Sequence, residues 1–126
     1  MSRLLLDTDI LINLLRGKEA AREFIVSHME EDELCCSVIT IAEISAGMRP
    51  HEETATRRLL DTLDILEVNR AVAEKAGRYK GNIKSHSLEL DDCLIAATAF
   101  HVDATLATGN GRHYPMNDIR KIVVKM

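Results

Sequence analysis

At 126 residues, 46% hydrophobic and 29% charged, the chain has the size and mix of one soluble globular domain. That length buries roughly two-thirds of the unfolded surface, so no disulfide or metal staple is needed. Aromatics make up 3% and Trp is absent, which calls for an aliphatic core and argues against a base-stacking platform for single strands. The formal charge of −4 argues against gripping nucleic acid by bulk positive charge, yet leaves room for an acidic cluster offset by a bound cation.

Residues 3–6 read as a short buried strand that stops on Asp7. Asp9 is placed to cap a helix running to about Leu15 and ended by Gly17. Ala21, Phe24, Ile25, His28 and Met29 then recur at helical spacing over residues 19–30. A second strand is expected at 34–38, and a helix from Thr40 to Ala46, closed by Gly47 and Pro50. Residues 53–64 carry Ala55, Leu59, Leu60 and Leu63 on one helical face, and a short strand follows over Ile65 to Val68. Val72, Ala76, Tyr79 and Ile83 mark the next helix, and Asp91 to Phe100 the most apolar one. Ala104 to Ala107 is a strand, Thr108 to Tyr114 a glycine-punctuated loop, and Ile122 to Lys125 a last strand. Strands alternating with helices predict a parallel-type sheet between helical layers, an α/β/α sandwich, with sites at the carboxyl ends of strands. No linker or repeat divides residues 1–126, so a single domain is expected.

Three acidic positions stand against apolar sequence. Asp7 ends the run Leu4-Leu5-Leu6, Glu43 lies within Ile41-Ala42-Glu43-Ile44, and Asp91-Asp92 head the last long helix. A buried carboxylate is costly unless paired or bound to a cation, so three of them suggest one shared site for a hard metal ion. Asp7, Asp9, Asp91 and Asp92 each alone also read as helix caps or dipole partners, and Glu43 as a solvent-facing helix residue, but capping does not explain Asp7 and Asp9 flanking Thr8 beside a core strand. Asp91 and Asp92 point about 100° apart on a helix, so one enters a site while the other caps.

The three cysteines have no zinc-type spacing and read as reduced core residues of a cytoplasmic protein. Arg3 and the following leucines look superficially like a secretion signal, but Asp7, Asp9 and Asn13 interrupt them and no cleavage site follows. No segment is long enough to span a membrane. The histidines read mostly as surface or boundary residues, with His113 alone near a candidate substrate loop. No Ser–His or Cys–His nucleophile pairing and no phosphate-binding glycine loop is evident.

Four blocks in order carry a family resemblance: Leu6-Asp7-Thr8-Asp9-Ile10-Leu11-Ile12, Ile41-Ala42-Glu43-Ile44-Ser45-Ala46-Gly47, Asp92-Cys93-Leu94-Ile95-Ala96-Ala97-Thr98-Ala99 and Ala107-Thr108-Gly109-Asn110-Gly111-Arg112-His113-Tyr114. Over its whole length the chain resembles PIN-domain ribonucleases, specifically the VapC-type toxins of VapBC toxin–antitoxin pairs. The resemblance implies a metal-dependent endoribonuclease, usually a homodimer, blocked by a VapB-type antitoxin. It puts the family's acids on Asp7, Glu43 and Asp92, with Asn110 where an aspartate often stands and Asp9 as an additional carboxylate. Asp7 and Asp92 would hold Mg²⁺ or Mn²⁺, Glu43 would hold the ion or orient a water, and Thr108 and Asn110 would bond ligands or phosphate. Asp91 and Thr8 would support the site. Arg16, Lys18, Arg49 and Arg112 are candidates for the RNA backbone.

Two other readings compete. Asp7-Thr8-Asp9 after a strand mimics the nucleophile and acid–base pair of a haloacid-dehalogenase-type phosphohydrolase, although Ile10-Leu11 replaces the usual Gly-Thr and the chain is short for that fold with a cap. A catalytically inactive PIN-like RNA-binding or regulatory subunit is the other, and Asn110 is the residue that favours it.

Overall fold

The computed structural model describes residues 2–126. Five strands, β1 (Ser2–Leu6), β2 (Asp32–Ser37), β3 (Asp64–Leu66), β4 (Thr105–Thr108) and β5 (Arg120–Val123), form one sheet in the order β3-β2-β1-β4-β5. Every neighbouring pair is parallel. Six helices connect or flank them: α1 (Thr8–Leu15), α2 (Glu19–His28), α3 (Val38–Gly47), α4 (Glu53–Asp61), α5 (Arg70–Asn82) and α6 (Leu90–His101). Single 3₁₀ turns lie at Pro50–Glu52 and Gly111–His113.

The period-2 geometry of the central strands splits the core in two. Leu5, Cys35 and Leu106 face one side, where Val72, Ala76 and Tyr79 of α5 and Ile95, Ala96 and Ala99 of α6 cover them. Leu4, Leu6, Cys36 and Ala107 face the other side, under α1, α3 and flanking residues of α2 and α4. Continuous apolar runs such as Leu4-Leu5-Leu6 are what a strand covered on both faces requires. All three cysteines are free and buried in these layers. No helix among the described residues is long and apolar enough to cross a membrane.

The chain runs outward from β1 through β2 to β3, then returns to the other side of β1 with β4 and β5. The order therefore reverses between β1 and β4. In open parallel sheets the crevice at such a point, beyond the carboxyl ends of the strands, is where ligands bind. Asp7 stands at the end of β1 and Thr108 ends β4, so both face that crevice.

Local departures from the sequence reading have clear causes. The cap of α1 is Asp7, not Asp9: Asp7 is extended at φ −68°, ψ 157°, and its side chain accepts the Thr8 N–H, while Asp9 already lies in the first turn. The buried stripe of α4 begins at Thr56, with Leu59, Leu60 and Leu63 at i+3, i+4 and i+7. Ala55, one position earlier and so about 100° around the helix, is exposed. Met29, expected on the buried face of α2, lies past its end and is 56% exposed. The last strand starts at Arg120 rather than Ile122, because an edge strand needs no apolar run: all four of its residues are exposed. Gly17 ends the first helical segment at φ +77°, a conformation open to glycine at little cost.

Leu5 is fully buried at the centre of the sheet, in contact with the α5–α6 layer. Leu5→Ala is expected to lower unfolding free energy by about 2–5 kcal/mol, read as a reduced urea midpoint with an unchanged slope.

Candidate active site

Asp7 is 6% exposed, and its carboxylate is held from three separate segments. Its Oδ1 accepts the Thr8 backbone N–H at 2.8 Å and the Tyr114 hydroxyl at 2.9 Å. Its Oδ2 accepts the Thr108 hydroxyl at 2.8 Å. The Asp7 N–H continues the β1–β4 ladder to Ala107 O at 2.9 Å. A carboxylate this buried persists because those donors replace water.

Thr8 connects this acid to the next. Its hydroxyl donates to Glu43 Oε1 at 2.6 Å and lies 3.0 Å from the buried Thr40 hydroxyl. Both Thr40 and Glu43 come from α3, which Ser37 caps at the end of β2. On α6, Asp92 Oδ1 lies 3.2 Å from the same Tyr114 hydroxyl and shares its one proton with Asp7, and Oδ2 lies 3.4 Å from His113 Nδ1. Asp91 Oδ1 accepts the Asp92 N–H at 3.0 Å. Asp7, Glu43 and Asp92 line one pocket of about 260 Å³, together with Asp9, Glu89 and Asp91 and with Asn110 and His113 at its edge.

Crowded carboxylates resist ionisation, and the site shows it. Glu43 is pushed up to about 7, first by burial and then by contact with the Asp91 carboxyl, against the opposing bond from Thr8. Asp92 is raised to about 6 by burial, then by Asp91 and Asp7, with His113 and Tyr114 pulling the other way. Asp9 is raised by burial and by Asp7. These are the signatures of like charges assembled for a task rather than for stability.

The donor set fits a hard divalent cation. It is made of carboxylate oxygens, with no thiolate and one histidine at the rim. Among the described residues no three His, Cys, Asp or Glu side chains already form an ion cage. Mg²⁺ does not require one, since it binds through one or two carboxylates and retains several waters.

A family model described as the PIN domain matches residues 4–118. The chain belongs to the PIN-domain family. It is 41% identical over 118 residues to Ribonuclease VapC10 of Mycobacterium tuberculosis, covering 90% of this chain and 86% of that protein. It is 35% identical over 115 residues to Ribonuclease VapC19 of the same organism, covering 89% and 92%. A solved toxin–antitoxin complex from Klebsiella pneumoniae aligns at TM-score 0.79 and 29% identity, over 92% of this chain and 94% of that one.

The PIN-domain site brings together most of the residues expected from sequence and redistributes their tasks. Thr108, expected to bond ligands or phosphate, donates its hydroxyl to Asp7, and that hydroxyl also accepts the Asn110 N–H at 3.0 Å. Asn110 turns its amide to His113 Nε2 at 3.0 Å, so His113 belongs to the pocket rim. Asp9 reaches across to the other end of the crevice: its Oδ2 accepts the Gly109 N–H at 3.0 Å, and its Oδ1 is buried without a partner. A Cβ at Gly109 would crowd Asp9 Oδ2 at 2.7 Å and collide with Met126 Cε, so a larger residue there would push both side-chain ends aside. Asp91, expected at the edge as a cap, takes a helix N–H and also lines the pocket against Glu43. Arg16 borders a neighbouring depression that shares Glu43. Arg49 and Arg112 are exposed and do not line the acidic pocket.

Tyr114 was not anticipated as a site residue. It is fully buried, and burial with the two neighbouring acids pushes its phenol far up, so it acts as a donor. One signal was available: a buried tyrosine needs a partner for its hydroxyl, and this is one of two tyrosines in the chain.

The raised acids bind more protons in the folded than in the unfolded chain between their ordinary range and pH 6–7. Their contribution to stability is complete at low pH and is lost as pH rises through the folded values. In EDTA, the melting temperature is expected to fall from pH 5 to pH 8. Asp92→Asn should flatten that slope; an equal slope in both proteins would mean that Asp92 ionises normally.

Proposed function

We propose that this PIN domain is a Mg²⁺- or Mn²⁺-dependent endoribonuclease, the toxin of a toxin–antitoxin pair, acting as a single domain over residues 1–126. The observation that carries the reading is the meeting of Asp7, Glu43 and Asp92 around one pocket at the point where strand order reverses. The similarity to Ribonuclease VapC10 and Ribonuclease VapC19 supports the reaction class, and the similarity to a toxin–antitoxin complex supports the biological setting.

Asp7 and Asp92 would hold the ion, with Glu43 beside them. When bound, a divalent ion supplies Lewis acidity toward the scissile phosphate and the attacking water. The chain's residues do the rest. Glu43 is fixed by Thr8 on the pocket wall, placed to accept the water's proton as the new P–O bond forms and a ribose oxygen departs. His113 and Asn110 stand at the rim, where phosphate oxygens would approach. Arg16, Arg112, Arg49 and Lys18 would meet the RNA backbone outside the acidic pocket, which cannot attract a polyanion by itself.

The phosphohydrolase alternative with an Asp7 nucleophile does not survive. Membership of the PIN-domain family opposes it. The partner would be a VapB-type antitoxin presenting a basic side chain to Asp7 and Asp92, where it competes with cation and phosphate. A two-fold homodimer would join two such pockets into a longer groove for RNA.

Asp7→Asn and Asp92→Asn should each abolish EDTA-sensitive RNA cleavage while leaving the circular dichroism spectrum unchanged. Asp91→Asn should retain most activity. Undiminished cleavage by both the Asp7 and Asp92 variants would refute the nuclease assignment, and a wild-type protein inert with either metal would favour an inactive binding subunit. Light scattering at micromolar concentration should give twice the 14.1 kDa chain mass; a monomer mass throughout that range would rule out the dimer.

A further inference from the structure

Among the described residues, the Tyr114 hydroxyl is the one group within hydrogen-bond distance of both proposed metal-binding aspartates. It is reached from the 3₁₀ turn Gly111–His113, whose carbonyl at Gly111 and that of Tyr114 itself are clamped by Lys121 Nζ at 3.0 and 2.8 Å. The ring is fully buried and packs in the α5–α6 core layer. Tyr114 does not line the acidic pocket; the aspartates do. The hydroxyl therefore meets the two carboxylates from beneath the pocket floor, not from the space an ion would fill.

Lone-pair accounting shows what this achieves. An ionised carboxylate has about four acceptor sites, two on each oxygen. On Asp7, Oδ1 is filled by the Thr8 N–H and by Tyr114, and Oδ2 carries the Thr108 hydroxyl, which leaves one site on Oδ2. On Asp92, Oδ1 shares that same Tyr114 proton in a three-centre contact at the longer distance of 3.2 Å, and Oδ2 lies beside His113. One phenol proton, shared unequally between two like-charged groups, thus engages Oδ1 of each aspartate and leaves acceptor sites free on both Oδ2 atoms.

We propose that Tyr114 is a positioning residue for the divalent cation: its hydroxyl, shared between Oδ1 of Asp7 and Oδ1 of Asp92, fixes the two carboxylates relative to one another and leaves their Oδ2 atoms for the ion. The inference rests on the metal-nuclease reading above. A phenylalanine would keep the packing and lose only this bridge. The two aspartates would then be free to turn, and ordering them would fall to the ion itself. Partners that orient metal ligands in this way are typically worth 10–100-fold in affinity.

Tyr79 is an internal control, because its hydroxyl also donates to a carboxylate, Asp118 Oδ1 at 2.7 Å, outside the acidic pocket. Isothermal titration of the full chain with MnCl₂ should give a Kd weakened roughly 10-fold or more in Tyr114→Phe. The Kd of Tyr79→Phe should stay within about twofold of wild type, the scale of ordinary scatter in such contributions. In RNA cleavage, Tyr114→Phe should need proportionately more Mn²⁺ for half-maximal rate and recover most of the rate at saturating Mn²⁺. If Tyr114→Phe does not fold, the unaltered sequence carrying 3-fluorotyrosine supplies the test. Its two fluorine lines, one from each tyrosine, should respond unequally to MgCl₂, with Tyr114 shifting and Tyr79 still. Equal or tighter Mn²⁺ binding by Tyr114→Phe, or an unmoved Tyr114 line while wild type binds metal, overturns the positioning role. A wild-type protein that binds neither Mn²⁺ nor Mg²⁺ overturns the metal-nuclease reading itself, and this inference with it.

Discussion

The structure turns on how a carboxylate is kept at the carboxyl end of the central strand. Asp7 sits where β1 leaves the sheet, between two apolar layers, and an unsolvated charge there would cost several kcal/mol. Donors from three places meet that cost: the first N–H of α1, the hydroxyl that ends β4, and the phenol of Tyr114. Each donor ties a distant stretch of chain to β1. Capping of α1, the pairing of β1 with β4 and the course of the loop after β4 are consequences of satisfying one side chain.

The second ring of contacts extends the same logic. Thr8 caps nothing, but it carries a hydrogen bond from the Asp7 neighbourhood to Glu43 on α3. Asp9 uses the opposite side of α1 to hold Gly109. The short segment Asp7-Thr8-Asp9 therefore fastens α1, α3 and the β4 loop into one frame. Asp7 and Asp9 both line the pocket, and Asp9 spends one oxygen on the Gly109 N–H while Thr8 braces Glu43 between them.

The frame is electrostatically expensive. Glu43 and Asp92 are held above their ordinary range by burial and by other acids, and the described residues offer only His113 as a nearby cationic group for Asp92. A fold optimised for stability alone would replace such a cluster with apolar side chains. Its retention in a small domain is the physical mark of function. The rigid layers on either side, aliphatic and nearly free of aromatics, supply the stability that the pocket forgoes.

Much of this was legible in residue order. Hydrophobic periodicity, strand–helix alternation and three acids beside apolar runs announced a parallel sandwich with an acidic site, because those signals arise from neighbours along the chain. The order of the strands was not legible, since it depends on which buried faces pair across the sheet. Nor was the exchange of roles between Asp7 and Asp9, which hinges on where β1 lets go of β4, or the start of the α4 stripe at Thr56. Tyr114 shows the limit most plainly. From sequence it is an aromatic residue closing a loop, 22 positions from Asp92 and 107 from Asp7. Only the return of β4 beside β1 brings its hydroxyl to both. The sequence by itself determined which chemistry was present and which segments carry it; the tertiary structure decided which acceptor sites of each acid are spent on the fold and which stay free, because that choice is made by donors that become neighbours only on folding.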